Sequence, residues 1–296
     1  EGQDLRSCTV CGEVQTRDTR VSGDASKIQA SDPRPADFYA GKTIVCIGDS
    51  ITAGVGTTAG TEDYVTLLAN LLGANTANRG ASGTVLCTGG PRTCNIGKLN
   101  NLPSGTALVT IMMGINDWHQ AKDGYYLLGE PGSEDTTTVY GAVRAWCEKI
   151  EALRREQAYA ETEFVFVTPL IASWDPVTGG RDWSQNKVNK QGYTLRQLCT
   201  AILEVCAEYG IPVFDANQYS GIYYHGAEDT NVGETGGDGV HVNAKGHALL
   251  AEALAEYLLE GYSYTDRTVA DCGHRFSNCV CTVCGAKAEH TYTSTV

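Results

Sequence analysis

A run of about 20 predominantly apolar residues, the length a membrane-spanning helix needs, occurs nowhere in this sequence. Basic residues are scarce as well. Only 22 Lys and Arg stand against 35 Asp and Glu in 296 residues, a formal net charge of −13, and the basic residues never form a block. Nucleic acid and anionic membrane surfaces both reward clustered Lys and Arg, so neither is expected as a partner. Familiar ligand signatures are missing too. Gly41-Lys42-Thr43 resembles the end of a phosphate-binding P-loop, but position 36 is Ala where Gly is required, and the segment precedes a strand-like run. Gly54, Gly56 and Gly60 are one residue off the dinucleotide spacing. No GxSxG elbow occurs, which argues against an α/β-hydrolase fold. The opening residues EGQDLRSC are polar rather than signal-like and begin at Glu, so a mature or excised piece of something longer is expected.

What is present suits a globular chain with a real core: 42% of residues are hydrophobic, in a length that fits one large or two modest domains. Strand-like and helix-like segments alternate between about residues 41 and 262, the sequence form of βαβ units. Ile44 to Ile47 reads as a strand buried on both faces, Glu62 to Leu72 as a helix stopped by Gly73, and residues 74–77 as a weak second strand. Ala107 to Met113, Glu163 to Val167 and Ile211 to Phe214 read as further strands. Val139 to Tyr159, Lys187 to Tyr209 and Ala244 to Leu259 read as helices. Five short parallel strands with intervening helices predict a three-layer α/β/α sandwich, flavodoxin-like.

In such sheets ligands bind at the carboxyl ends of the strands, and the first strand ends in Gly48-Asp49-Ser50. Ser50 is placed either as a nucleophile or as a helix N-cap. A serine nucleophile needs a general base and a group that orients it. Asp238 and His241, three apart on a Gly-containing loop, suit those roles, although a hydrogen-bonded loop histidine has the same look. The second strand leads to Gly80, whose backbone N–H is open to a ligand if the turn allows. The third leads to Gly114-Ile115-Asn116-Asp117, where the Asn116 amide can project over the site. Both also read as plain turns. Three long connections, Asp117 to Thr138, Ile171 to Asn186 and Ala216 to Asp238, follow strand ends and carry Trp118, Trp174 and Trp183, candidates for a substrate wall. Asp49 is expected to bond to its own loop, Cys46 and His247 to be packing residues, and His119 to sit on a surface loop, with a place lining the cleft as the alternative.

Taken in order, Gly48-Asp49-Ser50, Gly80, Gly114-x-Asn116-Asp117 and Asp238-x-x-His241 resemble the four blocks of the SGNH (GDSL-type) hydrolases, over about residues 41–262. The resemblance implies Ser50 as nucleophile, His241 as general base and then acid, and Asp238 as the residue orienting His241. Ser50 N–H, Gly80 N–H and the Asn116 side chain would form the oxyanion hole. It implies an acyl-enzyme mechanism and no cofactor for catalysis. The expected substrate is a small acyl ester, acetylated carbohydrate foremost. A lysophospholipase or thioesterase, or a non-catalytic carbohydrate-binding module, are the alternatives.

Six of the twelve cysteines crowd the two ends, and the pentapeptide CTVCG occurs at both Cys8–Gly12 and Cys281–Gly285. Cys272, His274, Cys281 and Cys284 have the composition and CxxC spacing of a structural zinc site, with Cys279 and His290 as alternates and Cys8 and Cys11 as partners from the other end. Disulfides are the competing reading. The expected organisation is thus a Cys-containing segment at 1–40, a hydrolase domain at 41–262 and a Cys/His-rich segment at 263–296, in a secreted or cell-surface protein that belongs to a larger multi-domain chain. Cys87 and Cys94, flanking a Gly-Gly-Pro turn, are expected to form a local disulfide. Cys147, Cys199 and Cys206 are expected as buried thiols.

Overall fold

The structure, a computed structural model, describes residues 32–182, 186–222 and 237–263, together with the backbone of five short strands near the ends. Its centre is a parallel sheet of β3 (Thr43–Gly48), β4 (Asn75–Gly80), β5 (Thr106–Met112), β6 (Glu163–Val167) and β7 (Val213–Phe214), in the order β4-β3-β5-β6-β7. Alternation along β3 decides the layering, because successive side chains point to opposite faces. Val45 and Ile47 join one core with Val109, Ile111, Phe164 and Phe166. That core lies under α3 (Val139–Arg154) and α4 (Leu195–Glu208), which contribute Trp146, Ile150, Ile202 and Val205. Ile44 and Cys46 join the other core with Leu108, Met112, Val165 and Val167, beneath α1 (Tyr64–Leu72) and α6 (Ala244–Leu259), with Ala216 of the short α5 (Ala216–Tyr219) packed among them. Both faces are therefore covered, which is why β3 could be an unbroken apolar run, while β4, on the sheet edge, reads Asn-Thr-Ala-Asn-Arg-Gly and stays partly exposed.

Local chemistry sets the helix ends. Asp63 caps α1 by accepting from Thr66 N at 3.0 Å, and Gly73 closes it in the left-handed region at φ 62°. The helix expected from Lys187 starts only at Leu195, because Thr194 and Gln197 form a capping box there, while Asn189 ties 189–193 into a turn through the Gln191 and Tyr193 N–H groups. The helix expected to reach Tyr159 ends at Arg154, and a 3₁₀ turn, Gln157–Tyr159, follows.

At the amino end of the sheet one side chain joins both chain exits. The Arg34 guanidinium donates to Glu163 Oε1 at 2.7 Å and Oε2 at 3.0 Å and lies 4.5 Å over the Tyr262 ring, while Arg34 N donates to Leu259 O. Tyr39 Oη also donates to Glu163, at 2.6 Å. Removing the cation strands a partly buried carboxylate. Arg34→Ala is therefore expected to cost about 2–3 kcal/mol, read as a lower urea midpoint.

The Cys87–Cys94 disulfide is not formed. Both thiols are free; Cys94 Sγ turns instead to donate to Leu86 O at 2.9 Å, and Cys87 is buried. Cys46, Cys147, Cys199 and Cys206 are buried free thiols as expected, the Cys147 and Cys206 sulfurs lying 3.8 Å apart between α3 and α4. Near the ends, β1 (Gln3–Cys8) pairs antiparallel with β2 (Val14–Asp18) and with β10 (Tyr292–Ser294), and β8 (Phe276–Ser277) pairs with β9 (Val280–Cys281). Backbone from the two ends of the chain thus meets, Cys8 standing opposite Tyr292. Cys11, Cys272, His274, Cys279, Cys284 and His290 lie outside the described residues, as do the side chains of Cys8 and Cys281. Among the described residues no group of three or more His, Cys, Asp or Glu is placed to hold a metal ion.

Candidate active site

β3 runs out at Gly48, where any side chain is impossible: a Cβ there would lie 1.9 Å from Thr52 Oγ1 and 2.8 Å from Met112 O. The backbone then turns sharply through 49–56, so Ser50 caps no helix; α1 begins at Tyr64 under Asp63. Asp49 is buried and accepts from Ile51 N at 3.0 Å, the loop bond expected of it. Burial pushes its carboxyl up to about 7 against the pull of that N–H and of His241.

Ser50 Oγ lies 2.7 Å from His241 Nε2, across 191 residues of sequence. The opposite ring nitrogen, Nδ1, is in a short hydrogen bond with Asp238 Oδ2. The 238–241 turn makes this possible: Asp238 Oδ1 accepts from Val240 N at 2.9 Å and from His241 N at 2.8 Å, fixing the carboxylate so that its second oxygen faces the ring. Gly239, at φ +80°, supplies the left-handed step and lies so close to the neighbouring loop that a Cβ would be 2.8 Å from Trp174 N. Asn243 then caps α6 by accepting from Gly246 N. Electrostatics follow the geometry. The bond from Asp238 raises the His241 pKa above the ordinary imidazole value, with burial opposing. Burial pushes the Asp238 carboxyl up, but the His241 ring and the two backbone N–H groups outweigh it and hold it well below the usual carboxylate range.

Of the expected oxyanion donors, two already have acceptors. Gly80 N–H, expected to be open, donates to Asn78 Oδ1 at 2.8 Å, and Asn116 Nδ2 donates to Thr84 O at 3.0 Å. Glycine is nevertheless required at position 80, since a Cβ would be 2.3 Å from Ala53 N and 2.6 Å from Thr52 C. β4 can press its end against the Ser50 turn only without a side chain. Two supports were not anticipated. Asn95 Nδ2 donates to Gly48 O at 2.9 Å. Asp117, fully buried on α2 (Ile115–His119), accepts from Leu86 N and Cys87 N at 2.9 Å each, and so holds the loop whose Thr84 carbonyl meets Asn116. Burial lifts its carboxyl to about 6 against those N–H bonds.

The three tryptophans part company. Trp118 is wholly buried in the core and donates Nε1 to Tyr193 O at 3.1 Å, so it forms no substrate wall. Its short helix turns that face towards α4. Trp174 is half-buried and meets His119 edge-on at 5.7 Å. Trp183 lies outside the described residues. His119, expected on a surface loop or, alternatively, lining the cleft, takes the second place: it is half-buried beside Trp174 at a cleft of about 340 Å³, and burial lowers its pKa. Trp174 N donates to Gly239 O at 3.2 Å, which ties the cleft wall to the His241 turn. His247 is a packing residue as expected, its Nδ1 accepting from Tyr64 N.

A doubly covered parallel sheet with serine, histidine and aspartate joined at its carboxyl edge defines a hydrolase of the α/β/α sandwich class. The chain belongs to the GDSL-like lipase/acylhydrolase family, whose model matches residues 46–249, and so to the hydrolases of carboxylic esters. A solved structure that is 27% identical superposes with a TM-score of 0.62, covering 74% of this chain and 97% of that one. A protein from Lactobacillus plantarum is 23% identical with a TM-score of 0.59, over 74% of this chain and 97% of its own. Another, from Agrobacterium tumefaciens str. C58, is 24% identical with a TM-score of 0.52, over 74% and 99%. No curated protein matched the chain.

Proposed function

We propose that this protein is a serine esterase that removes short acyl groups, acetyl above all, from carbohydrate. The observation that carries the reading is the 2.7 Å contact of His241 Nε2 with Ser50 Oγ, backed at Nδ1 by Asp238. Neutral His241 takes the Ser50 proton as Oγ attacks the ester carbonyl carbon, and the carbonyl π electrons move onto oxygen. The oxyanion is held by Ser50 N–H and by Asn116, whose amide has a second hydrogen beyond the one given to Thr84 O; Gly80 N–H joins them once it leaves Asn78 Oδ1. The imidazolium then protonates the departing alcohol oxygen. Water, deprotonated by His241, attacks the acyl-enzyme, and collapse of the second intermediate returns the proton to Oγ and releases the acid. Asp238 stays ionised throughout.

A small acyl group is favoured by the cleft beside the triad, whose lining includes Lys122, Lys190 and His119 around Trp174. Polar walls with one aromatic suit a sugar ring; an extended acyl chain gains little from them. The same substrate class favours a secreted or cell-surface location for this hydrolase domain of about residues 41–262. Structural zinc at Cys8, Cys11, Cys272, His274, Cys281 and Cys284 is supported by ligand spacing alone. The test is a series of p-nitrophenyl esters from C2 to C12, run with acetylated polysaccharides and read as acid released. The expected kcat/KM is highest at C2 and lower by roughly tenfold or more at C8. A maximum at C8 or beyond would instead identify a lysophospholipase or thioesterase.

A further inference from the structure

On the esterase reading above, the charges around the cleft bear on which glycan it takes. Acidic residues outnumber basic ones 35 to 22 in this chain. The described lining of the cleft runs the other way: it includes Lys122, Lys190 and His119 and contains no Asp or Glu. Two arginines extend the pattern. Arg92 is near enough for its charge to act on the His119 ring, as do those of Asp238 and His241. Arg181 donates to Ser173 Oγ at 2.8 Å, and its Cδ lies 3.3 Å from where a Gly239 Cβ would be, so its stem crosses the turn that carries His241. Four separate chain segments thus bring cations to one edge of the site.

Among the described carboxylates nearby, Asp123 is exposed directly after Lys122, and three have other engagements. Asp238 is bound to His241. Asp175 accepts from Thr178 Oγ1 at 2.6 Å and from Val177 N at 2.8 Å within its own turn. Asp182 and Asp175 face Lys187, a further cation, whose Nζ donates to Asp182 O. Against a net charge of −13 a polyanion would be repelled at long range, yet at physiological salt charges beyond about 8 Å are largely screened, so the local cations decide what docks. The volume, about 340 Å³, accommodates a sugar ring against Trp174.

We infer that this cleft is a subsite for a sugar residue bearing a fixed negative charge, so that the ester presented to Ser50 belongs to an acidic glycan rather than a neutral one. The charge is a carboxylate, as on a uronic acid, or a sulfate ester; Lys122 and Lys190 read the charge that these share, and Trp174 reads the ring. Lys122 and Lys190 are both exposed, so replacing them leaves the core and the triad untouched.

The experiment compares acetate release from acetylated polygalacturonate and from an acetylated neutral xylan, using the full chain and its Lys122→Ala/Lys190→Ala variant, at about 150 mM and about 1 M NaCl, where the screening length falls from about 8 to about 3 Å, with p-nitrophenyl acetate as a further substrate. The wild type is expected to favour the acidic polymer at the lower, physiological salt. The variant is expected to lose about tenfold in kcat/KM on it, through KM, and clearly less on xylan and p-nitrophenyl acetate, with the preference erased by high salt. Lys122→Arg/Lys190→Arg should restore it. Galacturonate, but not galactose, should compete with p-nitrophenyl acetate; galactose 6-sulfate competing equally well would show that charge rather than the carboxylate is read, which also supports the subsite. Equal rates on the two polymers, or a variant indistinguishable from wild type on both, overturn the subsite while leaving the esterase standing. Absence of any Ser50-dependent turnover of p-nitrophenyl acetate overturns the esterase assignment itself, and the subsite with it.

Discussion

Ser50→Ala should lower kcat for p-nitrophenyl acetate by roughly 10⁵- to 10⁶-fold, the scale seen when the serine of an intact triad is removed. The size follows from the geometry. Ser50 Oγ sits 2.7 Å from His241 Nε2, and its loss leaves a methyl group that cannot form the acyl bond. With the oxyanion hole proposed above, any remaining rate would come from its donors acting on water attack, roughly 10³- to 10⁴-fold over the uncatalysed reaction. The variant should fold as the wild type does. The side chain is almost fully buried at 7% exposure, but it is small and Ala removes one oxygen, so no apolar contact is lost. A circular-dichroism melt within a degree or two of wild type, alongside lost turnover, separates chemistry from folding. Turnover persisting at wild-type level would end the serine mechanism, whatever the geometry.

Why Ser50 could be picked out before the structure, while other site residues could not, has a physical answer. Ser50 follows an apolar run, Ile44 to Ile47, that only a doubly covered strand would tolerate, so the position of the strand end was legible locally. Asp238 and His241 were legible because their spacing is closed by a single turn. Asn95 and Asp117 gave no such signal. Asn95 reaches Gly48 across 47 residues, and Asp117 holds Leu86 and Cys87 across 31 and 30, so only tertiary approach gives either one its partner. Trp118 failed for a related reason. An aromatic in a connection packs inward or lines a cleft according to how its own short segment docks, and α2 docks Trp118 into the core while leaving His119 at the cleft. Gly80 shows a third kind of limit. That glycine is needed there was legible, but the reason is the 2.3 Å approach to the Ala53 backbone, whereas the expected open N–H is engaged by Asn78.

Asp238→Asn separates a triad from a Ser–His dyad, and the geometry predicts a loss of about 10⁴-fold in kcat at neutral pH. Oδ1 of the wild-type carboxylate is occupied by the Val240 and His241 N–H groups, leaving Oδ2 for the ring. An Asn that keeps those two backbone bonds through its oxygen must present its NH₂ to Nδ1. Nδ1 then has to be the unprotonated nitrogen, which puts the ring proton on Nε2, where it blocks uptake of the Ser50 proton. The pH profile gives an independent reading. In the wild type the bond from Asp238 raises the His241 pKa, and the active form has neutral imidazole, so kcat/KM falls as pH drops through a value above the ordinary 6.5. Removing the carboxylate charge lowers that pKa, so the acid limb of the variant should move to lower pH even as the plateau collapses. Plateau and limb therefore move for different reasons, tautomer and charge. A variant with near-full activity and an unmoved limb would show that Asp238 neither orients nor charges the base, and that Ser50 and His241 act as a pair.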